Sequence, residues 1–195
     1  MPVMLSVGTR KVIAIGASTG GVEALEQVLT KFPTTVPPIV LVIHMPPGFT
    51  KLFAARLNKS LKIAVKEAQQ EDYLLPGQVL VAPAGKHMKI VNLNGKLAVD
   101  CFLGEKVHHV IPSVDVLFES VAKNLQKDAI GVLLTGMGAD GARGLLTMRN
   151  NGAATIGQDK ETSAIYGMPK VAKELGAVDY ELPLDQIGNK ILSLV

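Results

Sequence analysis

The feature that most constrains this chain is residues 12–21, Val-Ile-Ala-Ile-Gly-Ala-Ser-Thr-Gly-Gly. Their first four residues are apolar and predict a short buried strand at 12–15. The small residues that follow predict a tight turn, and apolar residues at helical spacing predict a helix over 22–32. This arrangement places Ser18 at a helix N-terminus, where free backbone N–H groups and the helix dipole favour an anion. Ser18 is then either a helix N-cap or a nucleophile in a turn of the G-x-S-x-G type.

The rest of the chain alternates short apolar runs with segments of helical periodicity. This alternation predicts an α/β fold with a doubly wound, mostly parallel sheet and helices on both faces. Asn94-Gly95 lies between two strand-like segments and predicts an inserted antiparallel β-hairpin of 88–93 and 96–102. The other predicted strands are 12–15, 39–43, 63–68, 78–82, 130–134, 153–157 and, at the sheet edge, 178–180. The predicted helices are 22–32, 51–58 with Thr50 as its N-cap, 112–126, a helix ending near 150, 169–175 and 183–194.

Composition excludes several classes of protein. No apolar run approaches the roughly 18 residues that a membrane span needs, and the N-terminus lacks the apolar core of a secretory signal. A single cysteine, Cys101, cannot form an internal disulfide, so we expect a cytoplasmic protein without membrane insertion. The net charge is only +3, the lysines are scattered and aromatic residues make up 4% of the chain. The sequence therefore does not predict binding to nucleic acid.

Chemistry-bearing residues follow several of the predicted strands. Ser18 follows the first strand, His44 follows the second, and Asp140 lies in the turn after strand 130–134. Because open α/β sheets bind ligands outside the carboxyl ends of their strands, we expect the three side chains to share one edge. They are the nucleophile, base and orienting carboxylate of a serine hydrolase, in a chain order that differs from that of α/β-hydrolases. The remaining histidines end no parallel strand and are interpreted as surface or satisfied polar residues: His87, His108 and His109.

A second interpretation concerns Gly136, Gly138 and Gly141, whose spacing matches the G-x-G-x-x-G dinucleotide fingerprint. Asp159 lies near where a ribose-binding carboxylate is expected. However, Asp140 within the loop would oppose a pyrophosphate, and the fingerprint normally occupies the first strand–helix turn of its fold. We therefore expect no cofactor and no metal. A nucleotide-binding regulator stays open as an alternative function, as does an interaction domain whose active site has decayed.

Several long motifs resemble those of the chemotaxis protein-glutamate methylesterases, the CheB family. They cover nearly the whole chain from about Lys11 and stand in the family's order. The motifs are Gly-Ala-Ser-Thr-Gly-Gly at 16–21, His-Met-Pro-Pro-Gly-Phe-Thr at 44–50, Pro-Ser-Val-Asp-Val-Leu-Phe at 112–118, Leu-Thr-Gly-Met-Gly-Ala-Asp-Gly-Ala at 134–142, Gln-Asp at 158–159 and Tyr-Gly-Met-Pro at 166–169. The family often has an arginine before the third motif, where this chain has Ile111.

The resemblance implies an activity and a set of site residues. It implies a catalytic triad of Ser18, His44 and Asp140, with the backbone N–H of Met137 helping to hold the oxyanion. The reaction it implies is hydrolysis of γ-glutamyl methyl esters on the cytoplasmic helices of chemoreceptors, giving glutamate and methanol, and in some members deamidation of receptor glutamines. Other residues are expected to line the site: Thr19, Gly136 and Gly138.

The resemblance also bears on domain organisation and partners. Family members usually carry an N-terminal receiver domain, whose phosphorylation relieves inhibition, and nothing precedes Met1 here. We therefore expect residues 1–195 to be a single catalytic domain, with 1–10 as a linker remnant and the receiver domain absent. The expected partners are methylated chemoreceptor helices and that receiver domain.

Loops near the predicted site are rich in Gly, Pro and Met, which offer adaptable apolar contact. We expect a receptor helix to dock on Phe49, Gln158 and Met168. In the alternative interpretation, Met45 and Met168 fill the core beneath the site.

Overall fold

A computed structural model describes residues 11–195, and its regular elements alternate between strand and helix along most of the chain. The strands are β1 (Val12–Ala17), β2 (Ile39–Ile43), β3 (Ala64–Glu67), β4 (Gln78–Val81), β5 (His87–Leu93), β6 (Lys96–Phe102), β7 (Ala129–Leu133), β8 (Ala154–Gln158) and β9 (Tyr180–Leu182). The helices are α1 (Gly21–Leu29), α2 (Phe49–Ser60), α3 (Val114–Leu125), α4 (Ala142–Asn150), α5 (Met168–Glu174) and α6 (Leu184–Leu194).

Seven strands form a parallel sheet in the order β3-β4-β2-β1-β7-β8-β9. The chain begins this sheet at β1 in the centre, builds outwards through β2, and later returns to the other side of β1 at β7. Strand order therefore reverses at β1, which is where open α/β sheets bind ligands. β5 and β6 pair as a separate antiparallel ribbon. The predicted doubly wound fold with an inserted hairpin is confirmed.

Both faces of the sheet are covered, which explains the continuous apolar runs. Every residue of β1, β2 and β7 is buried, as expected for parallel strands between two helical layers. One core cluster joins the sheet to α3, α4, α5 and the β5–β6 ribbon, through residues such as Phe118 and Met168. The other joins it to α1, α2 and α6, through residues such as Leu25 and Ile187.

Several predicted boundaries are wrong at helix starts and at the sheet edge. Thr50 does not cap a helix, because α2 begins at Phe49 and its N-cap is Gly48. The Thr50 hydroxyl is buried and donates to Glu67 at 2.7 Å. α3 begins at Val114 instead of residue 112, because Ser113 is its N-cap. The edge strand is Tyr180–Leu182 instead of 178–180. The predicted linker at 1–10 lies outside the described residues.

Across residues 11–195, no helix combines the length and the apolar character that crossing a membrane requires.

Candidate active site

Ser18 lies directly after β1, at the carboxyl edge of the sheet. Its N–H donates to the carbonyl of Thr135 at 3.0 Å, in the loop that follows β7. α1 begins at Gly21 with Gly20 as its N-cap, and no side chain caps it. The N-cap interpretation of Ser18 is therefore wrong, and its hydroxyl is not committed to the helix end.

His44 and Asp140 are in direct contact. The backbone N–H of His44 donates to the carbonyl of Ala17 at 3.2 Å, which extends the β1–β2 pairing by one residue. The His44 ring reaches across the sheet edge, and its Nε2 lies 2.7 Å from Oδ2 of Asp140. Since Nε2 faces the carboxylate, Nδ1 is the ring nitrogen left for a hydroxyl.

Ser18 and His44 are neighbours across the two central strands. Ala17 pairs with Ile43 in the parallel register, so the next residues along β1 and β2 are Ser18 and His44. Within residues 11–195, the Ser18 hydroxyl makes no hydrogen bond with His44. The structure thus places all three predicted residues at one edge of the sheet and brings His44 into contact with Asp140. Hydrogen bonds to a nucleophile are often long in the absence of substrate.

The carboxylate of Asp140 is buried and fully hydrogen-bonded. Oδ1 accepts from the Ser113 hydroxyl at 2.7 Å and from the Asp115 N–H at 3.0 Å. Oδ2 accepts from the Val114 N–H at 2.7 Å as well as facing His44. Burial alone would raise the pKa of Asp140, but these hydrogen bonds, led by that from His44, hold it below its ordinary value of 3.8. The carboxylate also lies at the N-terminus of α3, whose dipole favours a negative charge.

These bonds decide between two roles for Asp140. In the cap interpretation Asp140 would serve the helix that opens at Gly141, yet no side chain caps α4. The carboxylate instead binds the N-terminus of α3 and the His44 ring. The cap interpretation is therefore wrong.

Close packing explains two of the three glycines of the 135–141 loop. A Cβ on Gly136 would lie 2.3 Å from Sδ of Met168 and 2.7 Å from Cβ of Ser18. A Cβ on Gly141, whose φ is +91°, would lie 2.6 Å from Val114. The glycine spacing that matches the dinucleotide fingerprint thus lets this loop pack against Ser18 and α3. The fingerprint's carboxylate, Asp159, is held within its own loop by the N–H and hydroxyl of Thr162.

Two backbone donors near Ser18 are unengaged. In the described part of the chain, the N–H groups of Thr19 and Met137 donate to no backbone carbonyl. Met137 directly follows Gly136, which packs on Ser18, and its side chain is exposed. Gly138 has open space at its Cβ position. Of the four residues predicted to line the site, Thr19 directly follows Ser18 and Gly136 packs against it. Met137 and Gly138 continue the loop from Gly136.

The residues predicted to dock a receptor separate into two groups. Phe49 is 56% exposed at the start of α2. Gln158 and Met168 are 1% and 0% exposed, so the prediction that they form a docking surface is wrong. Gln158 instead accepts from the Thr135 N–H at 2.8 Å, while Met168 packs on Gly136. The alternative interpretation, in which Met45 and Met168 fill the core, is confirmed for Met168, whereas Met45 is only partly buried against the core on the other face of the sheet.

A cavity of about 380 Å³ adjoins His44. The other residues that line it include Pro46, Pro47, Lys106, His109 and Ile111. A larger cavity of about 490 Å³ lies beside Tyr73 and Lys96, and none of the three predicted catalytic residues lines it.

Asp140, Asp115 and His108 form a cluster in which every carboxylate oxygen accepts a hydrogen bond. Ligand atoms of His108, Asp115 and Asp140 lie within 4.8 Å of one another. Asp115 accepts from His108 at 2.8 Å and from the Gly144 N–H at 2.7 Å. Since all four carboxylate oxygens accept hydrogen bonds from N–H or O–H donors, the cluster is a hydrogen-bond network and not an open set of metal ligands.

Sequence reasoning missed Ser113 and Asp115 as parts of the site. Both lie at the start of α3, far along the chain from the strand ends that drew attention to the other residues. The available signal was the N-cap pattern of a serine before an apolar helical segment. That pattern predicts where a helix begins but not which distant side chain accepts hydrogen bonds from its first N–H groups.

Comparisons with known proteins agree with this geometry. Residues 13–191 match the family model of the CheB methylesterases. The protein-glutamate methylesterase/protein-glutamine glutaminase 2 of Syntrophomonas wolfei is 52% identical over 184 residues, covering 94% of this chain and 54% of its own length. The corresponding protein of Agrobacterium fabrum is 53% identical over 188 residues, covering 95% of this chain and 53% of its own length.

The chain therefore spans about half the length of these curated relatives. The crystal structure of the Thermotoga maritima CheB methylesterase catalytic domain superposes with a TM-score of 0.93 at 39% identity, covering 96% of this chain and 100% of that one. This chain belongs to the CheB methylesterase family.

Proposed function

We propose that this chain is a serine esterase that removes methyl groups from glutamate methyl esters on chemotaxis receptors. The observation that carries the proposal is the 2.7 Å contact between His44 and Asp140, at the same sheet edge as Ser18. The substrate class comes from the relatives, which are named protein-glutamate methylesterases. The chemoreceptor substrates that we propose lie on cytoplasmic helices, so the proposed site of action is the cytoplasm.

His44 is the general base of the proposed mechanism. Its Nδ1 takes the proton of the Ser18 hydroxyl as the oxygen attacks the ester carbonyl, while Asp140 stabilises the imidazolium through Nε2–H. The tetrahedral intermediate collapses, His44 returns the proton to the leaving oxygen, and methanol departs. Water then attacks the acyl-enzyme by the same route, which releases glutamate and restores Ser18.

The oxyanion is assigned to the free N–H groups of Thr19 and Met137. Thr19 directly follows the proposed nucleophile, as one oxyanion donor does in other serine enzymes with a similar turn. Backbone donors held in place before the reaction stabilise the developing charge without reorganising. Both donors fit this role because no carbonyl of the described residues competes for them.

The same chemistry accommodates an amide. The relatives also carry the name protein-glutamine glutaminase, and a glutamine side chain differs from the ester only in its leaving group. His44 would then protonate departing ammonia, and the same acyl-enzyme would form. Release of ammonia from receptor glutamines is therefore the second activity we propose for this site.

Partners are proposed to reach the site from the β2–α2 side. Phe49 and Leu52 are exposed one turn apart on α2, and the Phe49 N–H donates to the carbonyl of Pro46, which lines the cavity beside His44. A methylated receptor helix would rest on these apolar side chains while one glutamyl ester reaches Ser18. A receiver domain of the kind that family members carry would regulate access to the same edge.

Labelling with a fluorophosphonate tests whether Ser18 is activated. The serine oxygen displaces fluoride from phosphorus, and only a serine with a positioned base reacts quickly. We expect one covalent adduct, located at Ser18 by mass spectrometry, and none in His44→Ala. Slow labelling spread over several surface serines would contradict the proposal and favour an interaction domain without an active site.

A further inference from the structure

A chain of buried polar groups connects Asp140 to His87 through Ser113. The Ser113 hydroxyl donates to Oδ1 of Asp140 at 2.7 Å, and the Ser113 N–H donates to Nδ1 of His87 at 3.2 Å. The other ring nitrogen of His87, Nε2, lies 2.7 Å from the carbonyl oxygen of Glu105. Ser113 is 0% exposed and His87 is 2% exposed. The hairpin strand β5, which carries His87, is thus connected to the candidate active site.

The partners of His87 fix where its hydrogen lies. A carbonyl oxygen only accepts, so the contact with Glu105 requires a hydrogen on Nε2. The Ser113 N–H only donates, so Nδ1 must keep its lone pair. The neutral ring with one hydrogen, on Nε2, satisfies both partners. A second hydrogen on Nδ1 would point at the Ser113 amide hydrogen.

The His87 ring is also held firmly in place. It packs against the ring of Phe102 with centroids 5.6 Å apart. A Cβ on Gly104 would lie 3.1 Å from Cδ2 of His87, so the chain after β6 crosses close to the ring. Little room is left for His87 to turn away from Ser113.

We propose that His87 is a positioning residue, which acts through Ser113 to hold Asp140 and His44 in the arrangement that the reaction needs. This inference rests on the esterase activity proposed above. Ser113 has an extended backbone at the N-cap of α3, and its N–H is therefore outside the hydrogen-bond ladder of the helix. His87 supplies the partner that a buried N–H requires.

Ser113 contacts both His87 and Asp140, so a change at His87 affects the carboxylate. The same Ser113 that receives support from His87 donates its hydroxyl to the carboxylate. If Ser113 shifts to find another partner for its N–H, Oδ1 of Asp140 loses a donor and the His44 ring loses its fixed support. A displacement near 1 Å at a reacting group costs up to about 100-fold in rate.

The test compares His87→Leu, His87→Asn and a control, Met88→Ala, by kcat and KM on a small carboxylic ester. Met88 is the buried neighbour of His87 on β5 and is part of the core. We expect His87→Leu to lower kcat by about 10- to 100-fold with KM nearly unchanged. His87→Asn keeps an acceptor near the position of Nδ1 and should recover most of kcat. Met88→Ala should lower stability without lowering kcat.

A double variant shows whether His87 acts through Ser113. In a Ser113→Ala background, His87→Leu should lower kcat no further, because the hydroxyl that transmits its effect is gone. Full additivity of the two changes, or a folded His87→Leu with wild-type kcat, would overturn the inference. If His87→Leu does not fold, Ser113→Ala alone decides: a wild-type kcat in that variant would overturn the inference, because the hydroxyl that His87 is proposed to act through would not be needed.

The proposed function fails separately from this inference. If wild-type turnover does not depend on Ser18, the esterase proposal is wrong whatever His87 does. If turnover depends on Ser18 and His87 variants leave kcat intact, only the positioning role is wrong.

Discussion

His44 contacts Asp140 through Nε2, the ring nitrogen farther from its backbone, at 2.7 Å from Oδ2. In the serine-protease arrangement the carboxylate binds Nδ1, and Nε2 faces the serine. The order of the strands explains why the two ring nitrogens of His44 have exchanged partners. Ser18 follows β1, the neighbour of β2, whereas Asp140 follows β7, two strands from His44 and about 10 Å across the sheet. The far nitrogen therefore reaches the carboxylate, and the near nitrogen is left for the hydroxyl.

Replacing Asp140 by Asn tests the carboxylate. The amide has only one oxygen, so its NH₂ group would face two of the donors that now bind the carboxylate. We expect kcat to fall by orders of magnitude, about 10⁴ in a comparable serine enzyme, and stability to fall by about 1–3 kcal/mol. Steady-state kinetics and urea unfolding measure the two effects. A variant with near-normal kcat would show that the His44–Asp140 contact is structural only.

The hydrogen bonds to Asp140 also predict how stability depends on pH. Its folded-state pKa is held below the ordinary value of 3.8. The ionised carboxylate therefore contributes stability above about pH 3.8, and this contribution is lost as the pH falls through the folded-state pKa. We expect the gap in unfolding free energy between wild type and Asp140→Asn to shrink as the pH falls below about 5. Urea unfolding at a series of pH values below about 5 measures it, and a gap that widens over that range would contradict the assignment.

Gly136→Ala tests the packing of the 135–141 loop on Ser18. The added methyl would meet Met168 and Ser18 at distances below 3 Å, so we expect a loss of about 1–3 kcal/mol in stability and a large fall in kcat. Gly131→Ala is the matched control, because its methyl would meet Leu145 at 2.7 Å within the core beside β7. It should destabilise comparably and leave kcat near wild type. Equal losses of kcat in both variants would attribute the effect to stability alone.

Phe49→Ala separates docking from chemistry. The ring is 56% exposed, so its removal should change stability by less than about 0.5 kcal/mol. We expect turnover of methylated receptor to fall about tenfold, near 1.4 kcal/mol of binding free energy, while hydrolysis of a small ester is unchanged. Leu175→Ala, which removes an exposed side chain at the end of α5, is the control. An equal loss of turnover on both substrates would show that Phe49 supports the structure of the active site and does not form a docking surface.

Much of the fold could be predicted because its strands are buried on both faces. Continuous apolar runs marked β1, β2 and β7, and the residue after each run marked the edge of the sheet. Ser18 and His44 stood out because reactive side chains follow closely after apolar strands, and Asp140 because it lies in the turn after a third such strand. The Asn94-Gly95 pair located the hairpin for the same local reason, since its turn type depends on two adjacent residues.

The rest depended on tertiary packing. Met168 and Gln158 lie in stretches of sequence that resemble loops. Met168 is buried because it packs against Gly136, and Gln158 because it binds the N–H of Thr135. Neither contact is between residues close in the sequence. Ser113 and His87 form their bond across 26 positions, between a helix N-cap and a hairpin strand. No periodicity or motif connects such elements.

The most direct test is release of methanol from methylated chemoreceptor by the wild-type chain and by Ser18→Ala. Ser18 lies at the surface edge of the sheet and caps no helix, so the variant should fold with wild-type stability. We predict steady methanol release by wild type and a loss of several orders of magnitude in Ser18→Ala, at equal concentrations of folded protein. A folded Ser18→Ala that releases methanol at a rate near that of wild type would contradict the assignment of Ser18 as the nucleophile and, with it, the proposed mechanism.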